Sequence, residues 1–433
     1  MAPTGTLGVV IPLLIARGGN GTWLSFLVTL IGFSLVCYCV SRFAQHTASA
    51  GALATYAEVG LGRRAGVVTG WAYVLAMIFG VSGAAPSAAY YADVFLTELT
   101  GAPSTALRGA ILTAVVILAA WLIAFRDIKL STKIMLVLEF STLAVLIAII
   151  ALAMPRTHAW VDRPQIELTG AHLASFQLTL VFGFITLAGF ETVTTLGEES
   201  TDATRTIPRV ILSNVVPIGL LYLVMIYCMI SIARRLGIDL GTLDAPFDAI
   251  ARALRVPAMG YISSLGIALS YFACTLAQLN AGARVLYHLA QERMFAPSFG
   301  EAHPVNRTPN RAIALIAIIG IVLPVALLAL HVTLIDVVNY LTQLTSFGFI
   351  SSYFMICLAL PFYLRKRGIL RMLDSIVATG AMIILGIVLV LSVVPLPPAP
   401  WVYLPYIFVL ALAAGVAISA RYFRRSTRTL EIE

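Results

Sequence analysis

Charge is what this sequence has least of. Lysine and arginine number 28 and aspartate and glutamate 20 in 433 residues, so 11% of the chain is charged against 60% hydrophobic. A soluble globule of this length needs a charged exterior, and this composition cannot supply one. Histidine and cysteine are scarce as well, at six and five. Cys37, Cys39, Cys228, Cys274 and Cys357 all fall inside apolar segments, and the one close pair, Cys37 and Cys39, points to different faces of a helix. They read as buried, reduced thiols, and no metal or cofactor is expected. The chain also lacks a G-x-x-x-x-G-K-S/T loop, which removes ATP as a direct energy source. It has no H-E-x-x-H or other nucleophile–base cluster, which leaves an intramembrane enzyme without machinery.

What the chain has instead is long apolar runs, with a mean hydropathy of +0.95. Runs of about 18 or more residues recur throughout, each able to cross the bilayer's hydrocarbon as a helix. They do not alternate with period two, so a membrane β-barrel is excluded. Full spans are expected over residues 23–40, 66–96, 107–124, 134–154, 176–196, 210–232, 259–290, 312–330, 335–364, 376–394 and 401–422. A shorter first segment covers residues 3–16; it lacks the basic start and cleavage site of a signal peptide. The 66–96 span carries Pro86, where a kink or tilt is expected. Residues 245–254 are amphipathic enough for a short helix on the outer face. No soluble domain or low-complexity tract interrupts the series, so residues 1–433 read as one transmembrane domain.

The formal net charge of +8 does not point to nucleic acid. The basic residues sit in short loops beside apolar runs, and the aromatics lie mostly within the runs. With the first segment running outward, 19 of the 28 basic residues fall in cytoplasmic loops and the tail, against 8 outside. That asymmetry predicts a multi-pass protein of the cytoplasmic membrane with a cytoplasmic C-terminus.

Residues 176–209 organise the rest. An apolar helix meets the small patch Thr186-Leu187-Ala188-Gly189, then a carboxylate, Glu191, then Glu198-Glu199 and a polar run. A helix-weakening patch and an ionisable group at membrane depth are expensive in hydrocarbon, which marks a functional element. The first segment opens with a similar patch, Pro3-Thr4-Gly5-Thr6, five spans earlier. Interruptions at matching positions of two five-helix halves predict a binding site between inverted repeats, formed by broken helices 1 and 6.

The run GFETVTTLGEESTDATRTIPRVI over residues 189–211 resembles the sixth helix and following loop of amino acid permeases of the amino acid–polyamine–organocation superfamily. Residues 49–70 (SAGALATYAEVGLGRRAGVVTG), 280–297 (NAGARVLYHLAQERMFAP) and 340–353 with the basic loop after them agree. The resemblance covers nearly the whole chain and says little about substrate. It implies an all-α polytopic membrane protein with an inverted 5+5 helix repeat, over residues 1–154 and 176–364, and two peripheral C-terminal helices over 376–422. It also implies a cytoplasmic segment and half-helix before Pro3, so the first helix is expected to be truncated at its start. By position, Pro3, Thr4, Gly5 and Thr6 match the first break of the family's amino acid site, and Thr186, Leu187, Ala188 and Gly189 the second. Some proton-coupled members of the family resemble one another in a fifth-helix lysine. Here that position is Thr142, and Glu139 is the nearest ionisable group.

The chemistry of those positions fits a zwitterion. Amides at Thr4 to Thr6, at a helix N-terminus, favour a carboxylate. Carbonyls near Phe184, Ile185, Thr186 and Leu187 end another helix and favour an ammonium. Glu139 is either a proton carrier or the partner of Lys133 or a hydroxyl. Glu191 is either a coupling residue or a helix cap. Glu198 and Glu199 are gating candidates or partners of Arg205 and Arg209. Thr275 and Asn280 are candidates to hold substrate or Na⁺, or they hydrogen-bond between helices for packing alone. Gly80, Gly83 and Ala84 either line a side-chain pocket or let helices pack closely.

The expected function is secondary active transport of an amino acid by alternating access, driven by a proton gradient or by exchange. Its partners are the small-molecule substrate, the lipid bilayer and a proton or sodium ion as candidate co-substrate. A polyamine or organocation carrier of the same fold is the alternative, although it calls for more buried carboxylates. A channel is the remaining class, and no repeated filter supports it.

Overall fold

The computed structural model describes residues 2–47, 49, 51–126, 130–196, 202–240, 245–394, 396 and 399–430. Every regular element among them is helical. Twelve segments carry the architecture. The first, α1, is α-helical over Pro3–Gly5, π-helical over Thr6–Val10 and α-helical again over Ile11–Gly18. Then come α2 (Thr22–Ala44), α3 (Arg63–Thr100), α4 (Ala106–Arg126), α5 (Leu130–Thr157) and α6 (Leu173–Leu187). After these stand α7 (Ala203–Leu236), α8 (Pro257–Gln291), α9 (Asn310–Ala329), α10 (Leu334–Lys366), α11 (Met372–Leu391) and α12 (Leu404–Leu430).

Each span expected from hydropathy has its helix. Ten helices among the described residues are long and apolar enough to cross a membrane. Two of the twelve segments are absorbed in that figure: α1 and α2 run together as Pro3–Ala44, and α6, at 15 residues, is short because it is interrupted. The chain reverses between α1 and α2 at Gly19–Gly21, where the Thr22 hydroxyl donates to the Leu14 carbonyl at 3.4 Å. Eight residues of straight helix would hold those groups about 12 Å apart. The amphipathic stretch forms a short helix, Pro246–Ala253, and α3 continues as helix through Pro86.

The packing is that of a protein solvated by lipid. On α4, Leu107, Ile111, Val115, Leu118 and Leu122 form an exposed apolar stripe at helical spacing, while Gly109, Thr113, Ile117, Ala120 and Ala124 are buried. Apart from Ile117, small residues thus face the bundle and large apolar ones the lipid, because close approach of backbones rather than exclusion of water drives helix association there. The most enclosed helix, α3, lies against α8 and α10. At Gly348 on α10, a Cβ would stand 2.7 Å from the Ala72 carbonyl oxygen of α3, so only glycine fits that crossing.

Buried ions are paired. Asp374 at the start of α11 accepts from Arg42 of α2 at 3.0 Å and from Tyr38 at 2.7 Å. Asp93 of α3 pairs with Arg108 of α4, Asp162 with Arg234 at 3.0 Å, and Asp248 with Arg252 at 2.6 Å. The peripheral α12 is tied to the core where Trp71 Nε1 donates to Ser419 Oγ at 2.7 Å.

Candidate functional site

The interruption of the sixth span falls where its small residues predict. Helix α6 ends at Leu187, Ala188 is extended at φ −64° and ψ 156°, and Gly189 has φ +96°. A single 3₁₀ segment, Phe190–Leu196, follows. A positive φ of that size is open to glycine at little cost and strained for any side chain. The threonines around it serve the freed carbonyls. Thr186 Oγ1 donates to Gly183 O at 2.6 Å and Thr192 Oγ1 to Gly189 O at 2.7 Å, while Thr194 and Thr195 each bond the carbonyl three residues back.

Pro3–Thr6 forms the opening turn of α1, with Pro3 at the first helical position, where its missing N–H costs nothing. The leading amides have protein partners. Thr4 N and Thr4 Oγ1 both donate to Glu139 Oε1, at 2.8 and 3.0 Å, and Gly5 N donates to Ser270 Oγ at 3.3 Å. Thr6 N donates to Ala2 O at 2.8 Å. A carboxylate at this end of a helix is where the dipole favours one. The π-helical stretch Thr6–Val10 then widens the helix by one residue per turn, a distortion common at functional sites.

Between the first turns of α1 and the interruption of α6 lies a small cavity, part of it continuous with the outside. It is lined by Thr6 and Val10 of α1 and by Ile185, Thr186, Ala188, Gly189 and Thr192 of the interrupted segment. Three more helices each present one face at i, i+3, i+7 spacing: Gly80, Gly83 and Ser87 on α3, Tyr271, Cys274 and Gln278 on α8, and Thr342, Thr345 and Phe349 on α10. Among the described residues, none that lines it carries a formal charge. Beyond the cavity, two turns further along α1, the Arg17 guanidinium lies 4.3 Å from the Phe182 ring centre and 4.6 Å from that of Trp401. Tyr340 packs edge-on against the same Trp401.

Thr6, Ile185, Thr186 and Gly189 are therefore brought together at the cavity wall, with Gly80, Gly83 and Ala84 opposite them. Pro3, Thr4, Gly5 and Leu187 do not line it: Thr4 is buried beside Glu139, and Leu187 is buried in the apolar core. Thr275 is buried and bonds back to Tyr271 O at 2.8 Å, and Asn280 is half-buried away from the cavity wall. Glu198 and Glu199 lie outside the described residues. Sequence reasoning missed Tyr271, Gln278, Thr342, Thr345 and Phe349. Their i, i+3, i+7 spacing was the available signal, although the same spacing marks any packed face.

Glu191 stands one layer behind the cavity and is fully buried. Its Oε2 accepts from Tyr353 OH at 2.5 Å and from Gly189 N at 3.1 Å. The ring of that Tyr353 packs with Phe33 and Phe190, their centres 5.3 to 5.8 Å apart.

Known proteins place this architecture. A family model described as amino acid permease matches residues 1–430. Among curated relatives, the methylthioribose transporter of Bacillus subtilis (strain 168) is 24% identical over 325 residues, covering 71% of this chain and 68% of its own. The branched-chain amino acid permease BcaP of the same organism is 22% identical over 372 residues, covering 81% and 74%. Among solved structures, MhsT crystallised with L-phenylalanine is similar with a TM-score of 0.60 at 15% identity, over 90% of this chain and 96% of that one. That last likeness shows a shared fold. With a match spanning nearly its whole length and transporters among its relatives, the chain is a multi-pass membrane transporter, not an enzyme, and it belongs to the amino acid permease family.

Proposed function

We propose that the chain carries a neutral amino acid across the cytoplasmic membrane as a secondary active transporter, by alternating access around the cavity between α1 and the interrupted α6. The carrying observation is that, among the described residues, this cavity is walled by main chain and uncharged side chains. Carbonyls at the end of α6 suit an ammonium group, since the last carbonyls of a helix lack intrahelical partners. The opening turn of α1 suits a carboxylate, which there exchanges places with Glu139. Residues 1–154 and 176–364 act as two five-helix repeats that rock against each other, with residues 376–422 outside them and the C-terminus cytoplasmic. Transport is coupled to a proton or to exchange. The similarity to BcaP agrees with a neutral amino acid.

A second reading is a solute without a carboxylate, and it is favoured by the Glu139–Thr4 hydrogen bonds, which such a solute leaves intact. The methylthioribose transporter's similarity belongs with it. A polyamine fits less well, because no carboxylate among the described residues lines the cavity. Counterflow in proteoliposomes tests these readings together, using labelled leucine, phenylalanine and lysine with methylthioribose and spermidine as further solutes. Exchange of the neutral amino acids is the expected result. Failure of every amino acid to exchange overturns the proposal.

A further inference from the structure

The wall formed by α3, α8 and α10 carries a polar patch for which recognition by main chain has no use. Gln278 of α8 reaches across to α3 and lies on Gly80. A Cβ built at Gly80 would stand 2.8 Å from Gln278 Cδ and Oε1 and 2.9 Å from Nε2. Three nearly equal distances put the plane of the carboxamide face-on to α3. One turn along α3, at Gly83, a Cβ would stand 3.3 Å from the Thr342 hydroxyl oxygen of α10. These two glycines therefore make room for the polar ends of side chains. Gly348 is different, since its missing Cβ admits the main chain of a neighbouring helix.

Neither polar end is spent on the protein. The other hydroxyls of this wall are: Ser87 Oγ donates to Gly83 O and Thr345 Oγ1 to Leu341 O, both at 2.8 Å. Gln278 Oε1 is buried without a donor, and the Gln278 carboxamide and the Thr342 hydroxyl make no hydrogen bond among the described residues. A polar group held out of water without a partner destabilises its site until a ligand supplies one.

The head group of an amino acid is met by α1 and α6, so the wall opposite them meets its side chain. A half-turn of the Gln278 carboxamide exchanges Oε1 for Nε2 and breaks no hydrogen bond, so the patch offers an acceptor or a donor. A hydroxyl suits both, because it donates and accepts, and its second bond goes to Thr342. An aliphatic side chain leaves both groups unserved. The cavity is small, which favours a short side chain.

Resting on the carrier reading above, we propose that Gln278 and Thr342 select a neutral amino acid with a short, hydroxyl-bearing side chain, of the serine and threonine kind, over an aliphatic one of equal size. The test uses the full chain in proteoliposomes and compares counterflow of labelled L-threonine and L-valine, which differ by a hydroxyl in place of a methyl. The expected half-saturation concentration is lower for threonine by about tenfold or more, since a site built to bond a hydroxyl rejects the analogue that lacks it. In Gln278→Met, which keeps the length and loses the carboxamide, the preference is expected to fall toward one. In Thr342→Val it is expected to fall in part. Valine exchanging as well as threonine, or better, leaves the carrier standing and overturns this inference. So does a threonine preference that Gln278→Met keeps whole. Failure of every amino acid to exchange falls instead on the carrier reading itself. If Gln278→Met loses exchange altogether, Thr342→Val decides: a narrowed preference supports the proposal and an unchanged one overturns it.

Discussion

Glu139 and Thr4, 135 positions apart, meet through one carboxylate oxygen that accepts both the Thr4 amide at 2.8 Å and its hydroxyl at 3.0 Å. The carboxylate of α5 thereby sits on the positive end of α1, the place a substrate carboxylate is proposed to take. An anion at a helix N-terminus gains about 0.3–1 kcal/mol when exposed and up to ~2 when partly buried. Removing it therefore bears on substrate affinity.

Glu139→Gln is expected to lower the half-saturation concentration of a neutral amino acid in counterflow by about two- to tenfold, because a competing anion has gone. A solute that lacks a carboxylate is expected to show no such gain. Concentration series for both kinds of solute check this.

Gly189→Leu is expected to abolish uptake while the protein still inserts. Its φ of +96° strains any side chain, and the residue stands in the cavity wall. Uptake assayed beside membrane-fraction abundance decides it; normal uptake would argue against recognition by main chain at this point.

Gln278→Glu places a carboxylate in a cavity that has no charged wall residue among those described. The Gln278 Oε1 is already buried and unpartnered, so the added charge has no ready counter-ion. The expected outcome is weaker leucine counterflow with relatively stronger competition by lysine, read from inhibition curves.

Asp374→Ala leaves Arg42, half-buried and held by a bidentate contact, without its anion. Breaking a buried pair from one side costs about 3–5 kcal/mol. The melting temperature in detergent is expected to fall clearly, with α11 the first element to loosen from α2.

His46, in the connection after α2, is held below its ordinary value of 6.5, chiefly by burial and further by Arg42 and Arg367. The unfolded chain therefore binds a proton before the folded one does. This contribution to stability is present above pH 6.5 and is lost as pH falls through the lower folded value. His46→Gln is expected to flatten that part of a melting-temperature profile taken between pH 5 and 7.5.

The membrane architecture was legible because lipid imposes it one segment at a time: about 20 apolar residues make a span whatever their partners. The α6 interruption was legible for a similar reason. Ala188 and Gly189 weaken a helix locally, and the threonines beside them supply hydroxyls within one turn. What stayed hidden depends on distant partners. Nothing near Glu191 in sequence announces Tyr353, 162 positions away, and nothing near Asp374 announces Arg42, 332 positions away. The α8 and α10 walls were missed because Tyr271, Gln278 and Phe349 share their spacing with ordinary packed faces. The amides of Thr4 and Gly5 were expected to be open, and the side chains that occupy them come from α5 and α8.

Trp401 stands just before the final helix, yet its indole covers the guanidinium of Arg17 on the first helix. The last helix is thus clasped to the first by a cation resting on an aromatic face. A chain cut before residue 401 would lose that clasp, so the terminal helix steadies the first one and is not merely upholstery against the lipid.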